Sequence, residues 1–161
     1  DIRLNAIGAV ERFPDDVRKV LRKAMEATER NRTMTLNLAL SYGGRDEIVR
    51  AARKLATQAK KGELNPDDIT EAVFSSCLYT HKMPDPDLLI RTSGEMRVSN
   101  FLLWQIAYSE LFVTPTLWPD FRRAEYLQIL SDYQKRERRF GLTTTQAERS
   151  SDHQTTSSAT A

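Results

Sequence analysis

Hydrophobic and polar positions along the chain switch between a strand rhythm and a helix rhythm several times. Ile2 to Gly8 reads as a strand, centred on Arg3 to Ile7 and ended by glycine. After Pro14 the apolar residues Val17, Val20, Leu21, Ala24 and Met25 follow the i, i+3, i+4, i+7, i+8 series of an amphipathic helix. Pro14 and the Asp15-Asp16 pair suit its first turn. Thr35 to Leu40 is a run with little alternation apart from Asn37, the pattern of a strand covered on both faces. A glycine turn, Ser41 to Asp46, opens a second helix with inner face Ile48, Ala52, Leu55 and Ala59, ended at Gly62. Asn65-Pro66-Asp67-Asp68 caps a shorter helix through about Cys77, and Pro84 and Pro86 stiffen the approach to a strand at Asp87 to Ile90.

Asn100 to Ser109 is apolar nearly all round, which predicts a helix buried on several sides, by core packing and a subunit interface. A short strand, Leu111 to Thr114, follows it. Leu117 to Phe121 is a turn, and a last helix from about Arg123 carries Tyr126, Leu127, Ile129, Leu130 and Tyr133 inward. Alternation of strand and helix predicts an α/β fold with a mostly parallel sheet flanked by helices. Beyond Leu142 the chain is rich in Thr, Ser, Ala and Gln, so residues 143–161 are expected to be a disordered tail on a single domain over residues 1–142.

Candidate chemistry gathers between Pro84 and Glu110. Arg91 stands at the carboxyl end of a predicted strand, where open parallel sheets bind their ligands. The polar turn Thr92 to Met96 leads to a second arginine, Arg97, and Ser99 occupies the expected N-cap of the apolar helix. Two guanidiniums and a helix N-terminus describe an oxyanion site, with phosphate or diphosphate as the natural occupant. The plainer alternative is a surface arginine paired with Glu95, a contact of about 0–1 kcal/mol. Gly43-Gly44 permits close approach of a phosphate or merely shapes its turn. Glu110, in apolar company, calls for a lysine or arginine partner or for a divalent metal.

Composition narrows these readings. A net charge of +2 over 161 residues gives no basic stripe for nucleic acid. Cys77 is the single cysteine, read as a core residue, so no internal disulfide forms and a reducing, cytoplasmic setting is expected. With His81 and His153 as the only histidines, a Cys/His zinc site is not expected. The chain starts at Asp1 on a bare strand, which is expected of a fragment whose N-terminal part is absent.

The run LLIRTSGEMRVSNFLLWQIAYSELF, Leu88 to Phe112, resembles the cis-prenyltransferases, and within them the bacterial undecaprenyl diphosphate synthases. The likeness extends through LNLALSYGGRDEI (Leu36 to Ile48), LWPDF (Leu117 to Phe121) and RERRFG (Arg136 to Gly141). It implies successive cis-condensations of isopentenyl diphosphate onto an allylic diphosphate such as farnesyl diphosphate, yielding a long polyprenyl diphosphate, with Mg2+ required. On the resemblance, Arg91, Arg97 and Ser99, with the Val98 backbone, hold the diphosphate of isopentenyl diphosphate. Glu110 would ligate magnesium. Arg139 and Gly141 would reach the neighbouring subunit's site in a homodimer, and Met34 would line the product tunnel. The long lipid product implies peripheral membrane association. The family's first block, bearing the aspartate for allylic diphosphate and metal, is not matched here. The catalytic residues are therefore expected upstream of Asp1 and the fragment alone is expected to be inactive. The competing reading is a non-catalytic partner subunit of a heteromeric enzyme.

Overall fold

The computed structural model describes residues 1–136. It is an α/β structure of parallel strands and helices, and it divides into two compact units. The first comprises Asp1–Pro86 and Arg97–Ala107; the second comprises Asp87–Met96 and the chain from Tyr108 onward. The expected tail at 143–161 and the residues Arg139 and Gly141 lie outside the described residues.

In the first unit β1 (Ile2–Ile7) pairs in parallel with β2 (Met34–Ala39), in a register running from Ile2 opposite Met34 to Ile7 opposite Ala39. The crossover is α1 (Asp15–Thr28), which starts after Pro14 with two aspartates in its first turn. Its last residue ties it to the sheet: Thr28 Oγ1 accepts the Leu4 backbone N–H at 3.0 Å. The expectation that β2 is covered on both faces fails, because every one of its residues is exposed. Among the described residues β2 is paired with β1 alone, so its apolar residues Leu36 and Leu38 have too few neighbours to bury them.

The second helix of the unit, α2 (Gly44–Lys60), buries Gly44, Glu47, Ala51 and Leu55. Leu55 faces inward as expected, but toward the helix start the buried face departs from the expected stripe: Ala52 is exposed and Ala51 is buried. The reason is what packs there. Ala51 and Leu55 form a core with Cys77 and Leu78, and Leu64, Val73, Phe74 and Trp104 close over it. The helix expected from Asn65 to Cys77 is broken in two. Asn65 caps a single tight turn, Pro66–Asp68, and the chain then extends through Ile69. Thr70 restarts it as α3 (Glu71–Ser75), its side chain accepting the Val73 N–H at 3.3 Å. Cys77 is a core residue, as expected.

The largest departure is at Asn100–Ser109, which forms a succession of turns instead of a regular helix. Ser99, Asn100 and Leu102 take left-handed backbone angles, φ +48°, +62° and +46°. Such angles cannot propagate a right-handed helix. Ser99 is consequently no N-cap, and no helix mouth opens behind it. The cause lies in Asn100, whose two acceptors are turned onto α2. The run is still packed: Trp104 lies against Phe74 in a tilted pair, 4.4 Å between ring centroids, and donates from Nε1 to Ser75 Oγ at 3.0 Å.

The second unit is built on β3 (Leu88–Arg91) and β4 (Glu110–Val113), parallel, with Leu88 opposite Glu110 and Arg91 opposite Val113. Its helix, α4 (Arg123–Gln134), buries Ile129 but leaves Tyr126 and Leu127 exposed, contrary to the expected inward set. Thr114, buried just past β4, donates its hydroxyl to Glu125 in the first turn of α4. Among the described residues no helix is long and apolar enough to cross a membrane.

Candidate functional site

The residues singled out in sequence divide between the two units. Arg91, Glu110 and the turn between Thr92 and Met96 belong to the second unit; Arg97, Val98, Ser99 and Met34 belong to the first.

In the second unit Arg91 closes β3, as its place in the sequence predicts. Its carbonyl accepts the Thr114 N–H at 2.9 Å, and the following turn is laced to the same segment by Ser93 N–H to Thr116 O and Gly94 N–H to Thr114 O, both 2.8 Å. Ser93 and Gly94 both have positive φ, +70° and +67°, which is how the chain reverses so tightly after the strand. Arg91 is half-buried, and its Nε is buried without a hydrogen-bond partner. A buried, unpaired guanidinium donor is costly, and it is satisfied when an anion accepts from it.

Glu110 begins β4, at the opposite end of the strand pair from Arg91. Three residue steps of roughly 3.3 Å each separate the two ends, about 10 Å of strand. The Glu110 carboxylate is paired: Arg136 Nη1 donates to its Oε2 at 2.6 Å. Arg136 also lies over the Phe112 ring, 4.0 Å from its centroid. The arginine partner weighed for Glu110 in sequence is therefore present. Among the described residues no group of three or more His, Cys, Asp or Glu could hold a metal ion. Mg2+ commonly takes one or two carboxylates and completes its shell with water and substrate phosphates. Glu110 fits as one such oxygen ligand, in competition with Arg136.

In the first unit Arg97 and Ser99 are exposed and Val98 is half-buried, with its carbonyl accepting the Phe101 N–H at 3.1 Å. These three residues lead directly into the anchor that sequence reasoning missed. Asn100 O accepts the Gly44 N–H at 2.7 Å, and Asn100 Oδ1 accepts the Arg45 N–H at 2.8 Å. The first donors of α2 are thus occupied from within the chain, not left for a phosphate. The glycine pair serves this approach. A Cβ on Gly43 would sit 2.9 Å from Asn100 Nδ2, and one on Gly44 would sit 2.9 Å from Leu103 Cγ and 3.1 Å from Leu103 N.

A second missed feature lies one turn along α2. Glu47 is 1 % exposed and Gln105 2 %. Tyr42 OH donates to Glu47 Oε2 at 2.5 Å, Gln105 Nε2 donates to the same oxygen at 3.1 Å, and the Tyr79 N–H donates to Oε1 at 2.6 Å. Gln105 Nε2 also reaches Thr80 Oγ1 at 2.9 Å. Burial, followed by its bond to the Glu47 carboxylate, pushes the Tyr42 hydroxyl pKa well above its ordinary value. The signal available in sequence was spacing: Glu47, Ala51 and Leu55 recur every four residues, a stripe that meets the expected face at Leu55. Met34, the expected tunnel residue, opens β2 and is exposed.

Residues 1–141 match the family model described as "Putative undecaprenyl diphosphate synthase". Curated relatives include isoprenyl transferases from Chlorobaculum tepidum, 56% identical over 91% of this chain and 55% of the relative, and from Heliobacterium mobile, 56% identical over 87% and 54%. The chain thus spans about half the length of the curated relatives it matches. Among solved structures it is similar to lavandulyl diphosphate synthase from Lavandula x intermedia in complex with dimethylallyl diphosphate. That match has a TM-score of 0.85 at 46% identity, over 88% of this chain and 61% of the other. It is also similar to a probable undecaprenyl diphosphate synthase from Campylobacter jejuni, with a TM-score of 0.73 at 36% identity, over 87% and 63%. The strand–arginine–turn arrangement, its motif and these matches agree: the chain belongs to the cis-prenyltransferase family, that of the undecaprenyl diphosphate synthases.

Proposed function

We propose that this chain supplies the isopentenyl diphosphate side of an isoprenyl transferase that adds isopentenyl units, each cis, to an allylic diphosphate such as farnesyl diphosphate. The product is a long polyprenyl diphosphate of the undecaprenyl type. The observation that carries the reading is Arg91: half-buried at the carboxyl end of a parallel strand, with Nε buried and unpaired. Arg97, the Ser99 hydroxyl and the Val98 backbone are the remaining diphosphate donors. With no helix mouth at Ser99, the left-handed Ser99–Asn100 turn takes its place, since successive N–H groups in such turns form anion-binding concavities.

The energetics suit the assignment. Hydrogen bonds from a guanidinium contribute about 1.5–3 kcal/mol each. Two arginines and a hydroxyl thus supply much of the roughly 8 kcal/mol of a micromolar ligand. Holding the diphosphate fixes the alkene relative to the allylic carbon, and that positioning is what this segment contributes to the reaction. Magnesium, when bound with Glu110 as one ligand, would neutralise diphosphate charge. The full-length enzyme is proposed as a cytoplasmic homodimer at the inner membrane face, completed by Arg139 and Gly141 of the neighbouring copy.

The test is incorporation of labelled isopentenyl diphosphate into a lipid product by a chain of the relatives' full length carrying these residues. Arg91→Ala is expected to lower binding of isopentenyl diphosphate by roughly 10- to 100-fold, the equivalent of one lost charged contact. Binding undiminished by the substitution, or no lipid product from the unmodified protein, would overturn the reading.

A further inference from the structure

Thr114 and Glu125 take no part in the diphosphate contacts just proposed, yet Thr114 is bonded to the arginine that carries them. It follows β4 directly and is 6 % exposed. Its N–H donates to the Arg91 carbonyl at 2.9 Å, and its own carbonyl accepts the Gly94 N–H at 2.8 Å. Past Pro115, the Thr116 carbonyl accepts the Ser93 N–H, also at 2.8 Å. Arg91 and the left-handed turn at Ser93 and Gly94 therefore lean on residues 114–116, beyond the last rung of the β3–β4 register at Arg91 and Val113.

One hydroxyl shapes that three-residue support. Thr114 Oγ1 accepts the Thr116 N–H at 3.2 Å and donates its proton to Glu125 Oε1. Pro115 has no N–H to offer, so this bond closes the turn from one threonine to the next. A hydroxyl has a single proton, with its lone pairs on the same oxygen. With the proton held by the carboxylate, the lone pairs stay turned toward Thr116. We infer that Thr114 and Glu125 are positioning residues for the isopentenyl diphosphate site: the carboxylate orients the hydroxyl, and the hydroxyl sets the support from which Arg91 and its turn are presented. The inference rests on the diphosphate role proposed for Arg91. All of these residues lie in the second unit.

Glu125 has a plainer possible role, and substitution separates the two. It is half-buried in the first turn of α4, where a negative charge favours the helix N-terminus. If charge were its whole contribution, Glu125→Gln would be as harmful as Glu125→Ala, and the harm would fall on α4. For a positioning role the charge is dispensable and the acceptor is not. The amide oxygen of Glu125→Gln still accepts the Thr114 hydroxyl, whereas Glu125→Ala leaves the proton of that buried hydroxyl without its partner. Thr114→Ser keeps the hydroxyl. Thr114→Val keeps the branched shape and both backbone bonds, and loses only the two bonds of the hydroxyl.

The experiment is carried out on this chain by NMR. Amide hydrogen exchange is read residue by residue, and isopentenyl diphosphate is titrated while the Arg91 Nε–H resonance is followed. Glu125→Ala and Thr114→Val are each expected to speed exchange at Ser93, Gly94 and Thr116 by about tenfold relative to the β3–β4 ladder, and to weaken isopentenyl diphosphate by about fivefold or more. Glu125→Gln and Thr114→Ser should restore both to within about threefold of the parent chain. Should Thr114→Val fail to fold, Glu125→Ala, at the less buried position, carries the same test. Exchange at Ser93 and Gly94 that keeps pace with the ladder, a loosening confined to α4, unchanged affinity, or a glutamine variant no better than alanine would each overturn the inference. Failure of the parent chain to bind isopentenyl diphosphate would instead sink the diphosphate reading, while the exchange comparison still decides whether Thr114 and Glu125 hold the turn.

Discussion

Asn100 caps α2 from 56 positions away in sequence: its carbonyl oxygen takes the Gly44 N–H at 2.7 Å. The same residue's side chain takes the Arg45 N–H. A segment that by composition should be a helix of its own instead spends its acceptors on another helix. Left-handed angles at Ser99 and Asn100 accompany this arrangement, in which both oxygens of one asparagine meet one helix end. Asparagine tolerates that conformation better than most residues, since its short polar side chain bonds locally.

This relationship makes the glycine and the asparagine separable by mutation. Gly44→Ala drives a methyl into Leu103, backbone included, and overpacking of this kind costs typically 1–3 kcal/mol. Asn100→Ala loses the side-chain cap, about 1 kcal/mol, and adds left-handed strain of roughly 1–2 kcal/mol. Asn100→Gly loses the cap alone. Urea denaturation should therefore rank Asn100→Ala below Asn100→Gly, with the parent chain most stable. An alanine variant as stable as the glycine one would show that the backbone angle is not under strain.

Tyr42 gives a pH dependence with a definite sign. Burial, and then its bond to Glu47, raises the hydroxyl's pKa in the folded chain above the ordinary value of about 10. A group with a raised folded pKa stabilises fully below its unfolded pKa, and that contribution drains away as pH rises toward the folded value. Stability should therefore fall as pH rises above about 10, and Tyr42→Phe should flatten that part of the curve. Spectroscopic titration of phenolate should show a resistant fraction among the five tyrosines that disappears in Tyr42→Phe.

How much of this was legible beforehand depended on where the burying partner came from. The β1–α1–β2 unit, β3, β4 and the start of α4 were readable because strand runs and helical stripes are local signals. The Asn65 helix was overread because the extended break at Ile69 and the Thr70 restart carry no periodic mark. The Asn100–Ser109 helix was overread for a different reason. Its apolar residues do pack, but the backbone is decided by bonds to α2 some 55 residues earlier, which no window over the segment contains. At the site, Arg91 was placed correctly by a rule about strand ends. Ser99 as N-cap failed with its helix, and Glu47 was hidden in a stripe that meets the chosen one at Leu55. Covered faces for β2 were inferred from its composition, yet cover is supplied by neighbours, and among the described residues it has β1 alone.

Glu110 and Arg136 form an ion pair whose side chains keep 25% and 46% of their exposure. Pairs open to water to this extent contribute roughly 0–1 kcal/mol and are screened by salt. Glu110→Gln should change stability by less than about 1 kcal/mol, with the difference vanishing at high ionic strength. The metal reading has its own check. Arg136→Met removes the cation that competes for the carboxylate, so Mg2+ binding in the presence of pyrophosphate should tighten by calorimetry. Weaker binding would strike Glu110 from the ligand set.

Arg97 distinguishes the two substrates. On the proposed assignment it holds the diphosphate of the incoming isopentenyl unit and not that of the allylic starter. Arg97→Ala in a chain of the relatives' full length should then raise the KM for isopentenyl diphosphate by roughly 10- to 100-fold, one charged contact's worth. The KM for the allylic diphosphate should move by no more than about twofold, the scale of an indirect effect. Arg97→Lys should recover only part of the loss, because an ammonium is a point charge and cannot reproduce the guanidinium's paired donors. Steady-state kinetics with each substrate varied in turn decides the matter. Parallel rises in both KM values would assign Arg97 to the shared architecture of the site, and a rise confined to the allylic diphosphate would move it to the other substrate altogether.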